Sequence, residues 1–233
     1  MLIFGPQNVG KTTLAGYVTI TSIFRQNKLE DNEVFVFIDG DGGFSFERFQ
    51  QIAGKDYDDL KARLIYREVV DFGDQHDLLA AGPGGSPSML EKELKDKDLK
   101  PALVVFDPFT AAYRGIVTRV DQKHKATTIQ QYAGKLDLQL QSMRGLGVHN
   151  KCPVIVTTWP SSPVGAALAK EEGGTTNEVP FVGGRALGFY PKLIVELKPM
   201  KFGSGERVAV LFKHRSRPVG AAVRFKLIDE GIA

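Results

Sequence analysis

The stretch Gly5-Pro6-Gln7-Asn8-Val9-Gly10-Lys11-Thr12-Thr13 decides how the chain folds. It fits the phosphate-loop pattern G-x-x-x-x-G-K-[ST]. Gly5 and Gly10 let the backbone curl until successive N–H groups share one concavity. The pattern also requires a strand before the loop and a helix after it. Leu2-Ile3-Phe4 is a short apolar run, and Leu14, Val18, Thr21 and Phe24 or Arg25 follow at helical spacing. The first N–H groups and positive dipole end of that helix face an anion. Lys11 is placed to reach β- and γ-phosphates, and Thr12 to offer a hydroxyl to Mg²⁺. All nine residues, Gly5 to Thr13, are therefore expected to surround a nucleotide phosphate.

The rest of the chain supplies the matching framework. Glu33 to Asp39 (EVFVFID) reads as a buried strand, and Glu47 to Ala53 as a helix. Leu64 to Phe72 reads as another strand. The glycine-rich surface loop Gly82 to Pro87 precedes a helix running to about Lys97. Ser88 and Glu91 form a capping box at that helix's start. Leu103 to Asp107 is a buried strand, Ala126 to Met143 a long helix, and Pro153 to Thr158 a further strand. Alternating strands and helices predict an α/β fold, with a mainly parallel sheet covered on both faces. After Pro191 the pattern changes to three strands: Lys192 to Lys198, Arg207 to His214 and Ala222 to Ile228. The first two join through the turn-rich Lys201-Phe202-Gly203-Ser204-Gly205, which predicts an antiparallel extension. Residues 1–233 read as a single domain.

Bulk properties exclude several classes. The 233 residues are 42% hydrophobic and 24% charged, suiting a globular domain with a sizeable core. No apolar run approaches the roughly 20 residues that span a bilayer, and no signal segment precedes the loop. The single cysteine, Cys152, excludes an internal disulfide and suits a reducing, cytoplasmic setting. A formal net charge of +3 is mild, so a nucleic-acid role depends on local charge.

Carboxylates at the ends of two strands complete the chemistry. Asp107 ends the strand LVVFD and is placed to hold Mg²⁺ through a water. Asp39 and Asp41 end the earlier strand in Ile38-Asp39-Gly40-Asp41-Gly42-Gly43. Either can accept a proton from an attacking water, or the pair can simply shape an Asp-Gly turn.

These segments resemble the ATPase core of the RecA-type recombinases, most nearly the archaeal RadA and RadB paralogues. Ile38-Asp39-Gly40-Asp41-Gly42-Gly43-Phe44-Ser45-Phe46-Glu47-Arg48 is similar to the family stretch I-D-T-E-G-x-F-x-x-E-R. Val105 to Arg114 resembles the segment around the second nucleotide motif. Pro180-Phe181-Val182-Gly183-Gly184 resembles the P-x-G-G that closes the second DNA-binding loop. Lys213 to Gly220 and Phe225 to Ile232 resemble the carboxyl-terminal strands. The resemblance covers nearly the whole chain. It implies a RecA-like P-loop NTPase that binds ATP and Mg²⁺, contacts single-stranded DNA and assists homologous recombination and DNA repair beside a main recombinase or other repair proteins. Asp41 takes the place of the catalytic Glu.

By the same resemblance, the basic stretch Arg114 to Thr128 is the first DNA-binding loop, flexible and carrying Arg119, Lys123 and Lys125. The second loop, Pro160 to Gly184, offers Lys170 against Glu171, Glu172 and Glu178, so DNA contact is expected mainly from the first. Lys213 and Arg215 alternate on a predicted strand and resemble a cation pair that reaches the ATP of a neighbouring subunit in a homo-oligomer. Two departures point to slow hydrolysis. Asp41 is one methylene shorter than Glu, and Trp159 replaces a Gln that senses the γ-phosphate. The family's segment ahead of the phosphate loop has no counterpart before Gly5: either the sequence is a truncated product or this paralogue dispenses with that part, and a core lacking it is expected to form filaments poorly. Competing readings are a KaiC-like signalling ATPase working through protein contacts, and a nucleotide-binding scaffold without DNA.

Overall fold

A computed structural model describes residues 1–161, 180–201 and 203–233. Among the described residues nine strands form one sheet in the order β3-β2-β4-β5-β1-β6-β7-β8-β9. They are β1 (Leu2–Phe4), β2 (Glu33–Asp39), β3 (Leu64–Glu68), β4 (Lys100–Asp107), β5 (Val154–Thr158), β6 (Ile194–Pro199), β7 (Glu206–Lys213), β8 (Ala222–Ile228) and β9 (Gly231–Ile232). The six strands from β3 across to β6 are mutually parallel, and β6 to β9 are antiparallel. This is the RecA-like α/β arrangement expected: a mainly parallel sheet with an antiparallel carboxyl-terminal end.

The central strands are apolar throughout because both faces are covered. Alternation then sorts their side chains to opposite sides. Val34, Val36, Ile38, Val104 and Phe106 face one core, which contains Leu90, Leu94, Leu136, Leu140 and Met143. Those partners come from α5 (Met89–Asp96) and α7 (Lys125–His149). Phe35, Phe37, Leu103 and Val105 face the other core with Ile20, Phe49, Ile52 and Leu60. These come from α1 (Thr19–Gln26), α2 (Phe46–Ala53) and α3 (Tyr57–Ala62). A six-residue π-helical stretch, Thr13–Val18, leads from the phosphate loop into α1.

Several local expectations change. The strand predicted for Leu64 to Phe72 ends at Glu68, and α4 (Phe72–Leu79) begins where the apolar run was read as strand. Asp71 caps α4 by accepting from the Gly73 and Asp74 N–H groups at 2.7 and 3.0 Å. The basic stretch Arg114 to Thr128 is largely helical: α6 spans Ala111–Arg119, a 3₁₀ turn spans Gln122–His124, and α7 starts at Lys125. β7 ends at Lys213, so Arg215 lies beyond the strand and the expected alternation of the two cations does not hold. The capping box forms as read, with Ser88 and Glu91 each accepting from the other's backbone N–H. Among the described residues no helix is long and apolar enough to cross a membrane.

Candidate functional site

β1, β2, β4 and β5 all end at one edge of the sheet, and the site is built on those carboxyl ends. The phosphate loop leaves β1 and is supported from behind by the antiparallel strands. Gly5 lies against β6 so closely that a Cβ there would stand 2.4 Å from the Leu197 carbonyl oxygen. Arg207 on β7 donates to the Asn8 carbonyl at 3.3 Å. Gly10, at φ +95°, packs against the Leu227 side chain of β8. Asn8 is also left-handed, at φ 59°. This is the curled backbone that turns N–H groups toward an anion.

Lys11 is only 8% exposed. Its ammonium donates to the Gly5 and Pro6 carbonyls at 3.0 and 2.8 Å. Burial lowers its pKa, and the carboxylates of Asp107 and Asp41 oppose that shift. Asp107 is 4% exposed, and burial raises its pKa. Hydrogen bonds from Thr12 and Thr157, then the charge of Lys11, act the other way. Thr12 and Asp107, the two groups predicted for Mg²⁺, are thus already in contact. Both offer hard oxygen donors, and Asp107 is a buried carboxylate whose ionised form gains from a nearby cation. That chemistry fits Mg²⁺, which takes few protein ligands and completes its shell with phosphates and water.

The two candidate bases have different environments. Asp39 is 1% exposed. Its Oδ1 accepts from the N–H groups of Asp41, Gly42 and Gly43 at 3.2, 2.9 and 3.1 Å. Its Oδ2 accepts from Phe44 N–H at 2.9 Å and the Tyr66 hydroxyl at 3.0 Å. Asp39 therefore organises the loop. Asp41 instead lines a cavity of about 290 Å³ together with Gln7, Asn8, Lys11, Thr12, Asp107 and Trp159. Burial raises its pKa, with the charges of Asp107 and Asp39 adding to the effect.

Trp159 follows β5 at the same cavity, and the Arg114 guanidinium of α6 sits 5.3 Å from its ring centroid. This cation–π contact links the nucleotide-facing edge to the basic region, and no local motif announced it. The element Pro180 to Gly184 is pinned beside it. Val182 N–H donates to the Trp159 carbonyl at 2.9 Å, and Ser161 N–H to the Pro180 carbonyl at 2.9 Å. Thr158 Oγ1 donates to the Val182 carbonyl at 3.1 Å and lies 2.6 Å from Thr110 Oγ1. Lys170, Glu171, Glu172 and Glu178 lie outside the described residues.

The remaining predicted positions are apart from this cavity. Arg119 ends α6, Lys123 lies in the 3₁₀ turn and Lys125 opens α7. Lys213 pairs with Ile194, which pairs with Leu2, so it stands at the end of the sheet opposite the phosphate loop. Its ammonium donates to the carbonyls of Gly188 and Phe189 at 2.7 and 3.2 Å, closing the short helix Gly184–Phe189. Arg215 lines a separate cavity at that same end, beside Met1 and Leu193.

No family model matches the chain. It is 31% identical over 230 residues to the DNA repair and recombination protein RadB of Methanoculleus marisnigri, covering 99% of this chain and 86% of that one. For RadB of Pyrococcus abyssi the identity is 30% over 233 residues, with 99% and 82% covered. For RadB of Methanocaldococcus jannaschii it is 28% over 230 residues, with 99% and 90% covered. The crystal structure of the RadB recombinase matches with a TM-score of 0.68 at 28% identity, over 99% of this chain and 88% of that one. Sheet order, phosphate loop and full-length similarity agree, and the chain belongs to the RadB family of RecA-type recombinases.

Proposed function

We propose that this protein binds ATP with Mg²⁺, hydrolyses it slowly, and binds single-stranded DNA while assisting a main recombinase or other repair proteins in homologous recombination. The observation that carries this reading is the convergence of Lys11, Thr12, Asp41 and Asp107 on one cavity, joined through Trp159 and Arg114 to the helix that leads into the basic junction. The loop N–H groups and Lys11 bind the phosphates. Thr12 and Asp107 would hold Mg²⁺, whose charge would offset that developing on the phosphate oxygens. Asp41 orients water and takes its proton; burial places its pKa nearer the working pH, where a base is most effective. Its short side chain limits the rate, since a displacement of about 1 Å can cost about a hundredfold.

Arg119, Lys123 and Lys125 supply phosphate contacts that do not depend on sequence. Lys213 and Arg215, at the far end of the sheet, reach an ATP only as part of a homo-oligomer. The test is fluorescence anisotropy of labelled single-stranded DNA across a salt series, with and without Mg-ATP. Binding that weakens steeply with salt and changes with ATP is expected. No binding at low salt in either state overturns the DNA reading and favours a signalling or scaffold ATPase.

A further inference from the structure

A second cleft opens beside the nucleotide cavity, between the Gly40 turn, α4, α6 and α7. Its volume is about 580 Å³, inside the roughly 300–1,000 Å³ range of small-ligand pockets. It exists because five lining positions carry almost no side chain: Gly40, Gly73, Ala111, Ala112 and Gly115. Ala111, Gly115 and Arg119 recur at intervals of four on α6, so one face of this helix lines the cleft. Arg114 leaves the same helix toward Trp159. One helix therefore lines this cleft and also contacts Trp159, which lines the nucleotide cavity.

The chemistry of the walls is mixed in a particular way. Val70, 84% exposed and between β3 and α4, and Ile116 on α6 offer apolar surface. Tyr132 stands edge-on to Phe72 with centroids 4.9 Å apart. Lys135 lies 5.3 Å from the Tyr132 ring centroid, and Arg119 is the second cation of the lining. The acid, Asp71, is engaged in capping α4. Apolar and aromatic walls with two cations suit a flat base attached to a phosphate.

We propose that this cleft receives one nucleotide of the bound single strand, its base between Val70 and Ile116 and its phosphate on Arg119 and Lys135. This rests on the reading of the α6–α7 junction as a single-stranded DNA contact. It adds a base-holding site to what would otherwise be a purely electrostatic contact.

The test compares a thymidine oligonucleotide with an abasic oligonucleotide of the same length, by anisotropy. Gly115→Leu fills the cleft, and nothing lies within 4 Å of a Cβ at that position. Retained Mg-ATP affinity and helical circular dichroism establish that the variant folds. The wild-type protein is expected to prefer the base-bearing strand by about tenfold. Gly115→Leu erases that preference, while Lys135→Ala weakens binding of both strands. Equal wild-type affinity for the two strands, or a Gly115→Leu variant that keeps the preference, overturns the cleft and leaves the DNA reading standing. Absence of binding to either strand by the wild type overturns both.

Discussion

Asp39 and Asp41 leave the same strand two residues apart, yet their surroundings assign them different work. Asp39 accepts five hydrogen bonds and has little capacity left for water. Asp41 faces Lys11 and Asp107 across the cavity, with a pKa raised first by burial. For a carboxyl whose folded pKa is raised, the native state binds the extra proton, so stability falls as pH rises from the ordinary value of 3.8 through the raised one. Asp41→Asn removes that penalty. Its Tm should exceed the wild type's at pH 7, and the gain should vanish below pH 3.8, measured by thermal melts across pH. ATP hydrolysis should be lost in the same variant. Asp41→Glu restores the missing methylene, so steady-state ATPase assays should show hydrolysis about 10- to 100-fold faster; a rate no higher than wild type would remove reach as the cause. Lys11→Ala should abolish Mg-ATP binding by calorimetry, since the loop's single lysine then contributes no charge to the phosphates. The phosphate loop and both Asp-ending strands were legible because each is a local pattern. The local pattern left Asp39 and Asp41 equivalent, and only the family resemblance singled out Asp41, because their division depends on where four backbone N–H groups point after the chain has turned.

At the scale of elements, the phosphate loop and the antiparallel strands act as one unit. Leu197, Arg207 and Leu227 come from three successive strands, and each meets a different loop residue. Gly5→Ala drives a Cβ into the Leu197 carbonyl. The loop must shift, at a cost of about 1–3 kcal/mol in urea unfolding and with weakened ATP binding. Unchanged affinity for ATP would show that the strands support the fold but not the site. Ser88→Ala is a control at a residue that does not line the nucleotide cavity. It removes one half of the capping box on α5 and should cost about 1 kcal/mol with ATP binding intact. The capping box was readable because its two partners are three residues apart. α4 was missed because Val69 and Phe72 continue an apolar run, and only the Asp71 cap marks the change. The family resemblance made the basic stretch after Arg114 a loop. Ala112, Tyr113 and Ile116 pack α6 against the core side, and packing outweighs the weak local preference.

For the whole molecule, the sheet separates two kinds of cation. Arg119, Lys123 and Lys125 gather at the α6–α7 junction, and in the proposed DNA contact this local charge, rather than the mild +3 total, sets the affinity. Each single-strand phosphate contact contributes about 0.7 to the slope of log affinity against log salt. Lys123→Ala with Lys125→Ala should therefore flatten the slope by about 1.4, and an unchanged slope would remove these two from the interface. Lys213 and Arg215 stand at the opposite end of the sheet from the phosphate loop. Sequence spacing suggested a shared face, but β7 stops at Lys213, and only the fold shows that neither cation can serve its own chain's nucleotide. Lys213 already closes the helix after Gly183, which leaves Arg215 as the cation better placed to act on a neighbour. Two deficient variants decide the matter. Lys11→Ala cannot bind ATP but still presents Arg215, whereas Arg215→Ala binds ATP but presents no cation. Each alone should hydrolyse ATP far below the wild-type rate. In the proposed homo-oligomer an equal mixture would carry interfaces with an intact loop on one side and an intact Arg215 on the other, and hydrolysis should partly return in a concentration-dependent way. An Arg215→Ala variant as active as wild type, or a mixture no better than its parts, would place the cation outside catalysis.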